Sequence, residues 1–178
     1  MSAVRILALC GSLRSSSTNM RLLEAVGRCM PEAVRYHSYG ELHLLPHFNP
    51  DDAPERSEPV SRLVNEVKAA DALIVSTPEY ARGYPGSLKN ALDWLVGTDA
   101  FVAKPFVLLD ASGRSSHARN SLIVVLETMS GVHVAEASVS VPLLGRNLGV
   151  AEILRHEDHA GAIRSSIRSL LSFVEQRS

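Results

Sequence analysis

The sequence predicts an α/β fold in which five parallel strands form one sheet with helices on both faces, which makes three layers. Short apolar runs alternate about five times with stretches of helical periodicity, the pattern of consecutive strand-helix-strand units. The first run, Val4–Cys10, shows no polar alternation after Arg5, as expected of a strand buried on both faces. The chain has 178 residues, of which 46% are hydrophobic and 21% charged, so it can build one full core. We therefore expect a single domain over residues 1–178.

The individual elements follow from short apolar runs, which predict strands, and from apolar residues at helical spacing, which predict helices. The predicted strands are, in chain order, Val4–Cys10, Val34–Tyr39, Ala72–Thr77, Phe106–Asp110 and Val132–Val141. The predicted helices are Thr18–Met30 with Ser17 or Thr18 as N-cap, a helix from Pro59 to about Ala70, Ser87–Val96, Ala118–Met129 and Ile163–Val174. A polar turn, His156–His159, is expected to cap the last helix through Asp158.

Composition and charge narrow the possible functions. The 18 Lys and Arg residues and 19 Asp and Glu residues give a net charge of −1, so there is no large basic field to bind nucleic acid. Cys10 and Cys29 belong to no CxxC pair or Cys/His ladder, which argues against a disulfide scaffold or a structural zinc site. The N-terminal apolar run is too short for a signal core or a membrane span. We therefore expect a cytoplasmic protein that binds no nucleic acid, membrane or metal.

Ligands of an open parallel sheet bind at the carboxyl ends of the strands, so the loops after the first, third and fourth strands are the candidate sites. The first loop, Gly11–Asn19, carries five hydroxyl groups, one amide and one guanidinium directly before a helix. The hydroxyls of Ser12, Ser17 and Thr18 suit an anion, as do the free N–H groups of the helix start. Arg14 adds a positive charge. The loop contains neither GxGxxG nor GxxxxGK[ST], so a mononucleotide phosphate is the expected anion.

The same loop allows a second interpretation, a phosphatase in which the Cys10 thiolate is a nucleophile at the base of the anion site. Low-molecular-weight tyrosine phosphatases place roughly five residues between that cysteine and the arginine. Here only Gly11–Leu13 lie between Cys10 and Arg14. A buried structural cysteine is therefore the better interpretation of Cys10.

The second loop, Thr77–Trp94, has a composition that suits a flat ligand. Its two prolines limit flexibility, while Gly83 and Gly86 let the backbone approach a ring closely. Backbone N–H groups in such a loop can reach the polar edges of an aromatic system. The loop therefore favours a planar heterocycle.

Together, the two loops carry a family resemblance. The chain is similar to the NADPH-dependent FMN reductases of flavodoxin-like fold, which include quinone, chromate and azo-dye reductases. The family pattern GSLRxxSxN is matched by Gly11, Ser12, Leu13, Arg14, Ser17 and Asn19. The pattern TPEYNxSxPGxLKNAxDW is matched by Thr77, Pro78, Glu79, Tyr80, Pro85, Gly86, Leu88, Lys89, Asn90, Ala91, Asp93 and Trp94.

The resemblance implies a flavodoxin-like sheet with strand order 2-1-3-4-5, bound FMN and the use of NADPH or NADH. It implies that the FMN phosphate is held by Ser12, Arg14, Ser17 and Asn19. We also expect Thr18 to contact the phosphate, because its hydroxyl lies at the start of the same helix. It implies that the isoalloxazine is lined by Pro78, Glu79 and Tyr80, with Ala81, Arg82 and Gly83 following in the same loop. Ser112 and Gly113 in the third loop, Ala111–His117, are further expected contacts.

The implied activity is that of an FMN-dependent NAD(P)H oxidoreductase. Nicotinamide would pass a hydride to the bound flavin, leave, and be replaced by a quinone, an azo compound, a metal oxyanion or free flavin, in ping-pong kinetics. The resemblance also implies a homodimer, or a homotetramer built from two dimers. One alternative is a non-enzymatic flavodoxin-like electron carrier, which would normally be more acidic than this chain. The other is a flavin-free regulatory or binding domain.

The chain departs from the family pattern beside the expected ring. The usual Asn after Glu-Tyr is Ala81, and the usual Ser two positions later is Gly83. These changes leave the expected phosphate site intact but remove polar groups near the reacting face. Arg82 stands between the two changed positions, where it would replace a lost contact, attract the phosphate of NADPH or remain solvated.

Overall fold

In the computed structural model, which describes residues 3–113 and 117–177, five parallel strands form one sheet. The strands are β1 Arg5–Cys10, β2 Arg35–Tyr39, β3 Ala72–Ser76, β4 Pro105–Leu108 and β5 Val132–His133. Their spatial order is β2-β1-β3-β4-β5, and every neighbouring pair is parallel. The predicted fold class is confirmed, including the strand order of a flavodoxin-like sheet.

The helices connect these strands in alternation. They are α1 Thr18–Cys29, α2 Glu58–Ala69, α3 Gly86–Val96, α4 His117–Thr128, α5 Val150–Arg155 and α6 Glu157–Glu175. Short 3-10 turns occur at Leu42–Leu44, Pro54–Arg56 and Ala135–Ala137. The start of α1 has the predicted cap, because the hydroxyl of Ser17 accepts the N–H of Met20 at 3.3 Å. No helix in the described ranges has the length and apolar character needed to cross a membrane.

The central sheet is buried on both faces. In β1, Leu7 and Leu9 pack into one core with α2, α3 and α4. Ile6 and Ala8 point to the other face and pack with α1, α5 and α6. All four side chains are at most 2% exposed, which explains why β1 has no polar alternation in its sequence.

The fifth strand is shorter than predicted, because a 3-10 turn interrupts the expected strand Val132–Val141. The N–H of Leu108 in β4 donates to the hydroxyl of Ser138 at 3.0 Å, so a side chain takes the place of a backbone partner there. The chain returns to the sheet at Ser140, which forms a parallel bridge with Asp110.

The C-terminal region also differs from the prediction. A short helix, α5, precedes α6, and His156 is the N-cap residue of α6. Asp158 lies inside the first turn of α6 and is not the cap. As an acidic residue in the first turn, Asp158 still interacts favourably with the helix dipole.

Candidate functional site

The carboxyl ends of β1, β3 and β4 open onto a cavity of about 350 Å³. Three loops and one later segment line it, with Ser12, Arg14, Ser16, Ser17, Thr18, Asn19, Thr77, Pro78, Glu79, Tyr80, Ala111, Ser112 and Leu144. Four of the residues predicted from sequence, Ala81, Arg82, Gly83 and Gly113, are not among those that line it. The fold thus brings the polar loop after β1 and the flat-ligand loop after β3 to one cavity.

The loop after β1 is a tight polar turn. The hydroxyl of Ser12 accepts the N–H of Arg14 at 3.3 Å, and the carbonyl of Arg14 accepts the N–H of Ser17 at 3.1 Å. At the start of α1, the N–H groups of Thr18 and Asn19 have no protein acceptor within residues 3–113 and 117–177. Unpaired N–H groups at a helix start, beside hydroxyls and an exposed guanidinium, are the donor set that binds a phosphate.

Gly11 brings the first and second loops together. Its N–H donates to the carbonyl of Ser76 at 2.9 Å. A Cβ atom placed on Gly11 would lie 2.2 Å from Oγ1 and 2.8 Å from Cβ of Thr77. The glycine of the GSLR pattern is therefore required by the close approach of two loops.

Asn19 has a structural contact in addition to its place on the cavity wall. Its side chain is buried, and its Oδ1 atom lies 2.9 Å from the hydroxyl of Ser76. The same hydroxyl lies 2.9 Å from the carbonyl of Leu109 and donates its single proton to one of the two oxygens at a time. Asn19 thus links α1 to β3, and its contact with a phosphate stays a prediction.

The loop after β3 contains a two-residue hairpin at the edge of the cavity. The N–H of Tyr80 donates to the carbonyl of Gly83 at 2.8 Å, and the N–H of Gly83 donates to the carbonyl of Tyr80 at 2.9 Å. Ala81 and Arg82 have φ angles of 49° and 65°, as in a type I′ turn. Left-handed backbone costs non-glycine residues roughly 1–2 kcal/mol each, and asparagine, the family's usual residue at position 81, adopts it more readily than alanine.

In the same loop, the side chain of Glu79 bonds to a neighbouring helix, whereas that of Tyr80 is exposed. A carboxylate oxygen of Glu79 accepts the N–H of Ala118 at 3.0 Å and so caps the start of α4. The ring of Tyr80 is 52% exposed, so it forms an outer wall of the cavity and not a buried one.

Asp110 organises the start of the third loop, at Ser112 and Gly113, and was not predicted as a site residue. Its Oδ1 atom accepts the N–H and the hydroxyl of Ser112 at 2.8 and 2.7 Å. Its Oδ2 atom accepts the N–H of Gly113 at 3.0 Å and the hydroxyl of Ser140 at 3.2 Å. An aspartate two residues before a serine at a strand end is a sequence signal for such a turn. Residues 114–116 of the third loop lie outside the described residues.

Cys10 is a buried structural cysteine, as predicted. Its thiol donates to the carbonyl of Ser12 at 3.6 Å. Burial raises the pKa of the thiol above its ordinary value of 9.0, and this effect exceeds the opposing hydrogen bonds to Ser12 and Ser17. The thiol is therefore protonated at neutral pH, which contradicts the phosphatase interpretation.

Four residues on the cavity wall were not predicted: Ser16, Thr77, Ala111 and Leu144. Ser16, Thr77 and Ala111 lie inside the three loops, where polar and small residues already marked the site. Leu144 lies after the fifth strand, and its side chain is 52% exposed. Arg21 of α1 holds this segment by donating to Oδ1 of Asn147 at 3.0 Å and to the carbonyl of Leu148 at 3.1 Å. The N–H of Leu143 donates to the carbonyl of Ala111 at 2.9 Å, so contacts between distant parts of the sequence bring Leu144 to the cavity.

Comparison with known proteins agrees with this geometry. Residues 4–144 match the family model described as NADPH-dependent FMN reductase. The NADPH azoreductase of Bacillus sp. (strain OY1-2) is 31% identical over 130 residues, which are 73% of this chain and 71% of that protein. The quinone reductase of Escherichia coli (strain K12) is 26% identical over 136 residues, 71% and 72% of the two chains.

Among solved structures, the flavoenzyme NAD(P)H:(acceptor) oxidoreductase FerB from Paracoccus denitrificans has the same fold. Its TM-score is 0.79 at 24% identity, with 97% of this chain and 98% of that chain covered. The family match covers all of β1 to β5 and the three loops that line the cavity. From its sequence, its fold and the place of the two family patterns in it, the chain belongs to the NADPH-dependent FMN reductase family.

Proposed function

We propose that this protein is an FMN-dependent NAD(P)H oxidoreductase that passes electrons to small-molecule acceptors such as quinones, azo compounds, metal oxyanions or free flavin. The observation that carries the proposal is the convergence of both family patterns on one cavity, within the residues that match the family model. The azoreductase and quinone reductase relatives support these classes of acceptor.

The residues that line the cavity fit FMN at both ends. At one end, hydroxyls of Ser12, Ser17 and Thr18, the free N–H groups of α1 and the guanidinium of Arg14 would hold the phosphate. At the other, the short segment Pro78–Tyr80 would border the ring. A cavity of about 350 Å³ is in the range of small-molecule sites. When bound, FMN supplies the hydride chemistry that links NAD(P)H to the acceptor.

The chain's own residues position the cofactor and leave room for exchange of the two substrates. The bonds of Asp110 hold Ser112 and Gly113 of the third loop, and the carboxylate of Glu79 holds the start of α4 beside the cavity. Tyr80 is 52% exposed, so the outer wall that it forms is in contact with solvent. A nicotinamide and then an acceptor would enter from this side in turn, which supports ping-pong kinetics.

The test is the absorbance of the purified protein under anaerobic conditions. We expect a yellow protein whose flavin bands bleach within the mixing time of a stopped-flow experiment when NADPH or NADH is added. Bleaching by dithionite or a partner reductase alone would contradict an enzyme and establish an electron carrier. A colourless protein that cannot be reconstituted with FMN would establish a flavin-free binding domain.

We further propose one FMN-binding domain that forms a homodimer, or a tetramer of two dimers, in the cytoplasm. Exposed apolar side chains near α3 support a protein interface. The ring of Phe48 packs edge-on against the ring of Trp94 with 5.2 Å between the ring centroids, yet Phe48 stays 39% exposed. Val96 at the end of α3 is 61% exposed. The unpaired thiols of Cys10 and Cys29 support a reducing compartment. Light scattering is expected to give twice or four times the chain mass of 19.3 kDa, and a monomer would contradict the assembly.

A further inference from the structure

The hairpin between Tyr80 and Gly83 carries Arg82, two residues along the chain from Tyr80 on the cavity wall. Two backbone hydrogen bonds close the hairpin, and the φ angle of Arg82 is 65°. Pro78 and Pro85 flank it and restrict the chain on both sides. The backbone of Arg82 is thus held in a conformation that its residue type disfavours. Such conformations persist where the surrounding structure fixes them, and they concentrate at ligand sites.

The guanidinium of Arg82 is a cation without an ion-pair partner among residues 3–113 and 117–177. Two other arginines near the cavity, Arg21 and Arg14, already have a contact or a proposed role. Arg21 is bonded to Asn147 and Leu148, and Arg14 lies in the turn proposed for the FMN phosphate. Arg82 is exposed and follows two residues after Tyr80, which forms the outer wall of the cavity. Its positive charge is therefore not committed to a described ion-pair partner and lies on the hairpin that begins at this wall.

The nucleotide that delivers the hydride must extend past this edge. A cavity of about 350 Å³ holds one group of flavin size, so the adenosine half of a dinucleotide has to lie over the outer surface. NADPH differs from NADH there by a phosphate monoester on the adenosine ribose, with a charge of about −1.5 to −2 at pH 7. A guanidinium matches such a group with two parallel hydrogen bonds.

We propose that Arg82 binds the 2′-phosphate of NADPH and thereby gives the enzyme a preference for NADPH over NADH. The proposal rests on the proposed oxidoreductase function and adds a specificity-determining residue to it. Arg82 would act in binding alone, because the 2′-phosphate lies far along the dinucleotide from the nicotinamide that reacts.

The test uses the FMN-loaded protein and the variant Arg82→Asn. Asparagine tolerates the left-handed backbone of the turn, so this variant removes the charge without straining the hairpin. We expect the KM for NADPH and the Kd for NADP⁺, measured by calorimetry, to rise about 10-fold or more. We expect the KM for NADH, the Kd for NAD⁺ and kcat to stay within about twofold. The control, Arg56→Asn, removes another exposed arginine from a 3-10 turn and is expected to change none of these values.

Two outcomes would overturn the role of Arg82. One is an unchanged Kd for NADP⁺ in Arg82→Asn, and the other is an equal rise for NADP⁺ and NAD⁺. If Arg82→Asn changes only the KM of the electron acceptor, the Kd for NADP⁺ is unchanged and the proposed role of Arg82 is wrong. Failure of the oxidoreductase function is distinguishable, because the unmodified protein would then bleach with neither nucleotide.

Discussion

Replacing Gly11 with alanine is expected to destabilise the fold by about 1–3 kcal/mol, the cost of overpacking a tight contact. The added Cβ atom would lie 2.2 Å from Oγ1 of Thr77, and rotation of that side chain could relieve this contact. It could not relieve the 2.8 Å contact with Cβ of Thr77, because that atom is fixed to the backbone. The first and second loops must therefore separate. Since both line the cavity, we expect FMN binding to weaken about tenfold or more, the equivalent of one lost contact.

Thermal unfolding and a fluorescence titration with FMN measure the two effects. Gly161→Ala is the matched control, since Gly161 is an exposed residue of α6 and an added Cβ atom would meet nothing within 4 Å. That control is expected to be stabilised by up to about 1 kcal/mol, because alanine favours a helix, and to bind FMN normally. Normal FMN affinity in Gly11→Ala would show that the two loops do not need this close approach.

Arg14→Ala is expected to weaken FMN binding by about 1.5–3 kcal/mol through the loss of a charge-assisted bond to the phosphate. The exposed Arg14 forms no ion pair with the described residues, so the free energy of unfolding of the FMN-free protein should change by less than about 0.5 kcal/mol. The variant should also bind FMN with a weaker dependence on salt concentration. The Kd for FMN, measured at two ionic strengths, checks both expectations. An unchanged Kd would remove Arg14 from the phosphate site.

The sheet and the polar loop after β1 were predictable because local sequence determines them. A strand buried on both faces needs a continuous apolar run, which β1 and β3 have. A helix start needs a capping side chain, which Ser17 supplies. The end of β5 was not predictable in the same way. There the hydroxyl of Ser138 replaces a strand partner for Leu108, a contact that no strand or helix period encodes.

The site followed the same division between local and long-range contacts. Residues from Ser12 to Asn19 and from Pro78 to Tyr80 could be predicted because short patterns carry them. Leu144 could not, because long-range contacts bring its segment to the cavity. The N–H of Leu143 donates to the carbonyl of Ala111, and Arg21 of α1 bonds to Asn147. The left-handed backbone of Ala81 and Arg82 was also beyond prediction, since neither residue type favours it and the pairing of Tyr80 with Gly83 imposes it.

The buried contacts among Asn19, Ser76 and Leu109 have a consequence for how the cofactor is acquired. The buried hydroxyl of Ser76 donates either to Asn19 of the first helix or to the carbonyl of Leu109, so protein groups alone complete these contacts. A preorganised pocket spares an incoming nucleotide the entropy of ordering its walls. Newly synthesised apoprotein would then be competent to load flavin as soon as it has folded, and loss of the cofactor would leave a scaffold ready for reloading.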